Sequence, residues 1–230
     1  MEKKTKEANI VLIFGIIGIM GVLTTIISDI ILLGRPSSAA EFFHHATESM
    51  ADISHGRITV GTFLGVVALP FQVLGLAPLY YGLKSSGKVL PLVVVLIDAH
   101  AILMGVAFHM SYTFMGRGWR FYHESGLDQN IVSGLLDRFD DYWGLLILII
   151  AIELLCSTII YIIVILKRKS FFPKWMVLVN PIVAVLLVLP LIYILPSPIG
   201  GYIGPTVLNL ATLIFIAVTM LLFSKKRTCS

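Results

Sequence analysis

The stretch VLPLVVVLIDAHAILMGVAFHMSYTFM, residues 89–115, decides the fold. It runs for 27 residues without a Lys or Arg. At a rise of about 1.5 Å per residue, a helix of that length covers about 40 Å and crosses a hydrocarbon core of roughly 30 Å with some tilt. The apolar residues follow one another unbroken, so the alternation of a lipid-exposed barrel strand is missing. One acid and two imidazoles, Asp98, His100 and His109, lie within the run. At bilayer depth such groups need a partner, a cavity or a role.

Working outward from this stretch, five more runs have the same character, at 9–33, 58–83, 142–166, 175–195 and 205–223. The 230 residues are 57% hydrophobic and only 13% charged, with a mean hydropathy of +0.94. That balance excludes a water-soluble globule, and it equally excludes a solvated disordered chain. A disulfide scaffold is also excluded, because Cys156 falls in an apolar run and Cys229 in a basic tail. The expected fold is therefore all-α, a polytopic bundle of six transmembrane helices forming a single integral membrane domain over 1–230.

Basic residues near span ends are retained on the cytoplasmic side. Lys3, Lys4, Lys6, Lys84, Lys88, Lys167, Arg168, Lys169, Lys174, Lys225, Lys226 and Arg227 share one side, against Arg35, Arg57, Arg117, Arg120 and Arg138 on the other, a split of 12 to 5. Both termini are expected in the cytoplasm. The net charge of +4 reflects these anchors, and no nucleic-acid motif accompanies it. The first span is expected to be kept and not cleaved as a leader, since its apolar run exceeds the usual signal core and holds Asp29 near its outer end.

The two inner connections are short, whereas the outer ones, 34–57 and 116–141, are long for hairpin connectors. In the first, Ser38 with Glu41 three residues on forms a capping box that opens a short amphipathic helix. Glu41, His45, Glu48, Asp52 and His55 recur there as one polar stripe. In the second, Trp119, Phe121 and Tyr122 suit the headgroup region, and Ile131, Leu135, Leu136 and Phe139 carry a helical period.

The candidate binding residues are Asp98, His109, Glu153, Asp29, Arg57, Gln72 and Asn209. Asp98 and His109, eleven residues apart, fall within about 20° of each other on one helix face, while His100 points about 200° away and is expected to bond a neighbouring helix. The sequence predicts a polar cavity in the outer half of the bundle, floored by Glu153 and Asp98 and rimmed by His109, Asp29, Asn209 and Arg57. Interhelical pairing is the plainer account of the same residues. Gly61, Gly65, Ala68, Gln72, Gly75, Leu79 and Gly82 form a seam of mostly small residues that is expected to pack on other helices. Pro70 and Pro78, and Pro181 and Pro190, are expected to interrupt the second and fifth spans, as in transporters built from inverted halves. No cofactor is predicted. A weaker candidate is a metal on His44, Glu48, Asp52 and His55, whose spacing a solvated helix face explains as well. No Walker, GxSxG or HExxH pattern occurs.

Gly18, Gly21, Asp29, Leu32, Leu33 and Gly34, then Arg57, Gly61 and Gly65, then Gly75, Pro78 and Tyr81 form a pattern that resembles a family of bacterial multi-pass membrane proteins carrying a domain of unknown function. The resemblance implies a bacterial cytoplasmic membrane and brings no chemistry with it. Membrane hydrolases of the alkaline ceramidase type are similar in their intramembrane acids and histidines, but they look like seven-span proteins with a late histidine pair, and here no histidine follows His123. The leading expectation is binding or transport of a small polar or amphipathic molecule through an outward-opening cavity. A membrane-embedded enzyme acting on a lipid-like substrate, with His109 or His55 as base or metal ligand, is the alternative, and a structural or regulatory subunit is a third.

Overall fold

A computed structural model describes residues 2–124, 126, 129–167 and 170–228. Arg168, Lys169 and Cys229, which the sequence reading used, lie outside the described residues, and nothing is said of the side chains of residues 2–5, 129 and 226–228. The described chain is helical throughout and contains no strand. It consists of α1 (Glu2–Leu33), α2 (Ala39–His44), α3 (His55–Gln72), α4 (Ala77–Leu83), α5 (Val89–Glu124), α6 (Gln129–Lys167), α7 (Pro181–Tyr193), α8 (Ile199–Ile203) and α9 (Val207–Thr228). Five stretches, Lys6–Leu33, His55–Ser86, Val89–Glu124, Asn130–Lys167 and Ile199–Lys225, are long and apolar enough to cross a membrane.

The fifth expected span departs from the sequence reading. Instead of one helix over 175–195, a 3-10 turn at Lys174–Leu178 leads into α7, only 13 residues long. Pro181 explains the start: it carries no N–H to continue a helix and drives its predecessor into extended geometry. Asn180 accordingly sits at φ −135° and ψ 162°, and its side-chain oxygen accepts the Val183 N–H at 3.0 Å as an N-cap. Pro181 therefore opens a helix where it was expected to interrupt one. Pro190 does lie inside α7. Between Pro70 and Pro78 the chain tightens into a 3-10 turn, Val73–Leu76, that joins α3 to α4.

The loops change too. The helix expected over the first polar stripe is two pieces, α2 and a 3-10 turn at Glu48–Asp52. Ser38 caps α2 by accepting the Glu41 N–H, as expected. Arg35 ends it by donating to the carbonyls of His45 and Phe42. Ala39 and Phe42 turn into the bundle, the former against Val188 and Ile192, the latter against Leu32, Leu33 and Met50. The second expected loop largely disappears, because α5 continues to Glu124 and α6 begins at Gln129.

Neighbouring helices pack in the cyclic order α1, α3, α5, α6, α7, α9 and back to α1, so the six enclose a centre. Tyr81 donates to Glu7 and packs edge-on against Phe223, which brings both terminal helix ends and the 84–88 turn to one end of the bundle. That terminal end is filled by Leu76, Leu79, Leu83, Val94, Tyr161, Ile165, Phe172, Met176 and Phe215. The tightest approach is between backbones: a Cβ on Gly18 would lie 2.2 Å from Gly75 Cα. Small residues here allow the contact that holds α1 on the bend after α3.

Candidate functional site

In the half of the bundle away from the termini, the ring of helices surrounds a cavity of about 110 Å³. One wall is polar. Thr25 and Asp29 of α1, Gln72 of α3, His109 of α5 and Asn209 of α9 face it. Leu33, Leu69, Ala101, Ile102, Phe108, Ile150, Leu154, Val185 and Leu208 supply most of the remainder. Four helices thus bring hydrogen-bonding groups to one void, an arrangement a lone intramembrane pair does not need.

The polar wall is one connected network. Gln72 Nε2 donates to Thr25 Oγ1 at 2.9 Å and to Asn209 Oδ1 at 3.1 Å. Asn209 Nδ2 donates to Asp29 Oδ2 at 2.7 Å. Asp29 Oδ1 stands 3.5 Å from His109 Nδ1. On its other edge, His109 Nε2 lies 3.0 Å from Ser28 Oγ and 3.2 Å from the Gly61 carbonyl. Ser28 itself donates to that carbonyl, so its oxygen is left to accept, and Nε2 must carry the hydrogen that reaches it. Nδ1 and the carboxylate would then face each other with lone pairs unless a proton lies between them. His109 Nδ1 thus faces the Asp29 carboxyl group at 3.5 Å, and Asp29 remains open to further donors.

Local sequence explains the placement. Thr25, Ser28 and Asp29 lie at i, i+3 and i+4 on one face of α1. Gly65 makes the space for the imidazole, since a Cβ there would lie 2.1 Å from His109 Nε2. Thr25 and Ser28 were missed by the sequence reading; the spacing T-x-x-S-D on an apolar helix was the available signal.

Of the seven candidate binding residues, Asp29, Gln72, His109 and Asn209 come together and three do not. Asp98 shares the face of α5 that lines the cavity but sits one turn below Ala101 and Ile102, 4% exposed, with neither carboxylate oxygen hydrogen-bonded. Glu153 does not floor the cavity: Ile150 and Leu154 take that face of α6, and one residue step turns Glu153 about 100° from Leu154. It contacts His100 Nδ1 at 2.6 Å, as the opposite orientation of His100 suggested. Arg57 does not rim the cavity either. It ties off the end of α1, donating to the carbonyls of Ile30, Ile31 and Gly34.

Beyond α1 lies a second, open crevice of about 720 Å³, lined by Arg35, Glu41, His45, Glu48, Asp52, Arg57 and His123 among others. Partial burial lowers the Arg35 guanidinium below its ordinary range, with Glu41 and Asp52 pulling it back up. His45 pairs with Glu48 at 3.0 Å. Among the described residues no three His, Cys, Asp or Glu side chains stand together as a metal site, so His44, Glu48, Asp52 and His55 do not converge as that reading required. The reason is the break after α2, which ends the single helix on which their spacing was counted.

The long apolar helices make this an integral, multi-pass membrane protein. A family model matches residues 1–226. The chain belongs to DUF6796, a family of unknown function. Membership in DUF6796 bears out the expectation of a family of unknown function. Neither the curated proteins nor the solved structures contain a match to the chain.

Proposed function

We propose that this DUF6796 protein binds a small polar or amphipathic molecule in the cavity between its helices. The observation that carries the reading is the convergence of Asp29, Gln72, His109 and Asn209, from four helices, on one void. A carboxylate with open lone pairs at such a place holds a ligand group that donates hydrogen bonds, and it does so in surroundings of low dielectric where each bond counts for more than in water.

The setting we propose is a bacterial cell membrane, with one membrane domain crossing six times and both termini in the cytoplasm. The excess of Lys and Arg, 12 against 5, supports that direction. Short as α7 is, its segment still runs from end to end: Phe171 donates to Gly82 at the terminal end, and Tyr193 stacks on Phe43 at the other. Reporter fusions after Phe223 and within 45–52 are expected on opposite sides of the membrane; the same side for both overturns the topology.

The binding reading is tested by native mass spectrometry of the purified protein, parent against Asp29→Asn and His109→Ala. Co-purifying small molecules are expected on the parent and lost from both variants. An unchanged set of adducts in both overturns the reading. A second reading, a subunit that pairs with another protein's helix, draws on His100, whose side chain is 62% exposed at bilayer depth beside Glu153. It requires a complex that His100→Ala dissolves.

A further inference from the structure

We infer that the cavity takes a single-chain amphiphile with a hydrogen-donating, non-anionic head, and that the chain leaves the bundle sideways between α6 and α7. The inference rests on the binding reading above and adds the chemistry of the ligand and its route.

The head group follows from counting hydrogen bonds. Both Gln72 Nε2 hydrogens are spent, on Thr25 and Asn209. One Asn209 Nδ2 hydrogen is spent on Asp29. The hydroxyls of Thr25, Ser28 and Thr212 are turned to backbone carbonyls. What the polar wall still offers is rich in acceptors: the remaining lone pairs of the Asp29 carboxylate, and Gln72 Oε1, for which no partner is found among the described residues. The donors left are one Asn209 N–H and the Tyr112 hydroxyl. Among the described residues no Lys or Arg lines the cavity. A hydroxyl or amine head donates into these acceptors, whereas a phosphate or carboxylate head, itself an acceptor, leaves them unpaired. The volume of about 110 Å³ holds roughly seven to eleven water-sized spheres at about 10–15 Å³ each. That suits a compact head of a few heavy atoms with one chain.

The route follows from the wall facing the network. Thr158 of α6 donates to Asn180 at the start of α7 at 3.3 Å, which closes that joint at its inner end. From there toward the loop end, Leu145, Leu148 and Ile152 of α6 and Leu186, Leu187 and Leu191 of α7 are exposed on the lipid-facing surface. The cavity reaches toward that surface: Leu154 and Val185, which line it from the two helices, are only half-buried. Polar groups at the back and aliphatic side chains at the mouth match a molecule that is polar at one end only.

The test uses full-length protein in detergent micelles and native mass spectrometry, with three probes: 1-monooleoylglycerol, oleate and glycerol. The monoglyceride is expected to bind about tenfold or more tightly than oleate, the effect of a charged-group hydrogen bond gained or lost. Val185→Trp, which fills the mouth without touching the network, is expected to reduce monoglyceride binding by a similar factor. Leu154→Trp closes the same mouth from α6, and serves if Val185→Trp does not fold. Oleate binding as well as the monoglyceride, or a blocked mouth that leaves binding unchanged, overturns the inference. If glycerol or a co-purified polar solute binds in an Asp29-dependent way and the monoglyceride does not, the inference fails and the binding reading stands. If no adduct of any kind depends on Asp29, both fail.

Discussion

Two acid–imidazole pairs lie at membrane depth in this protein, and they differ in an instructive way. His100 and Glu153 approach to 2.6 Å, with the imidazole side chain 62% exposed. Asp29 and His109 stand farther apart, at 3.5 Å, with side chains 7% and 5% exposed. By distance alone the first is the better pair. Yet it joins two adjacent helices on the lipid-facing surface and extends no further, whereas the second continues through Asn209 and Gln72 in one direction and Ser28 in the other and faces a void. What separates a site from a tether is the number of independent elements that converge, and separation between two atoms is a poor guide to it.

The sharpest way to break that comparison is His109→Ala. It leaves Asp29 buried beside an empty space, and removing one partner of a buried pair costs about 3–5 kcal/mol. Thermal or denaturant unfolding in micelles reads the loss. Gly65→Ala comes next, at about 1–3 kcal/mol, since the new methyl group must displace the imidazole. In the double variant Gly65→Ala with His109→Ala the methyl has nothing to displace, so the two costs are expected to be clearly less than additive in a mutant cycle. Asn180→Ala is expected to cost about 1 kcal/mol through loss of the α7 cap, with a matching small loss of helicity. The smallest effect is expected for His100→Leu combined with Glu153→Leu. Both polar partners go together and none is left unpaired, so stability stays within about 1 kcal/mol of the parent. A large loss there would restore the lipid-facing pair to equal standing with the enclosed one.

The helices were legible in the sequence because lipid imposes length and apolarity, two quantities that composition carries directly. Residues 89–115 need no partner to be read as a span. The seam through Gly61, Gly65 and Gly75 was legible for the related reason that small residues in register announce close packing. Which acids meet was less so. Helix phase correctly separated His100 from Asp98, but phase within one helix says nothing about rotation relative to its neighbours. Asp98 and Glu153 were accordingly assigned to a cavity that Asp29 and Asn209 occupy. The short α7 was hidden for a different reason: hydropathy runs straight through Asn180 and Pro181, whereas the backbone conformation they dictate ends one element and begins another. Thr25 and Ser28 escaped notice because hydroxyls in lipid-embedded helices usually bond their own backbone, as Thr212 does here.

The missing side chain at position 65 ties two sites of mutation together. With a Cβ there only 2.1 Å from the ring at 109, a lineage cannot enlarge residue 65 and keep the imidazole where it is. Glycine at 65 is thus a steric precondition for the imidazole at 109. Aligned members of DUF6796 that carry histidine at 109 should carry glycine at 65, and a chain that has replaced the glycine should have moved the ring away from Asp29.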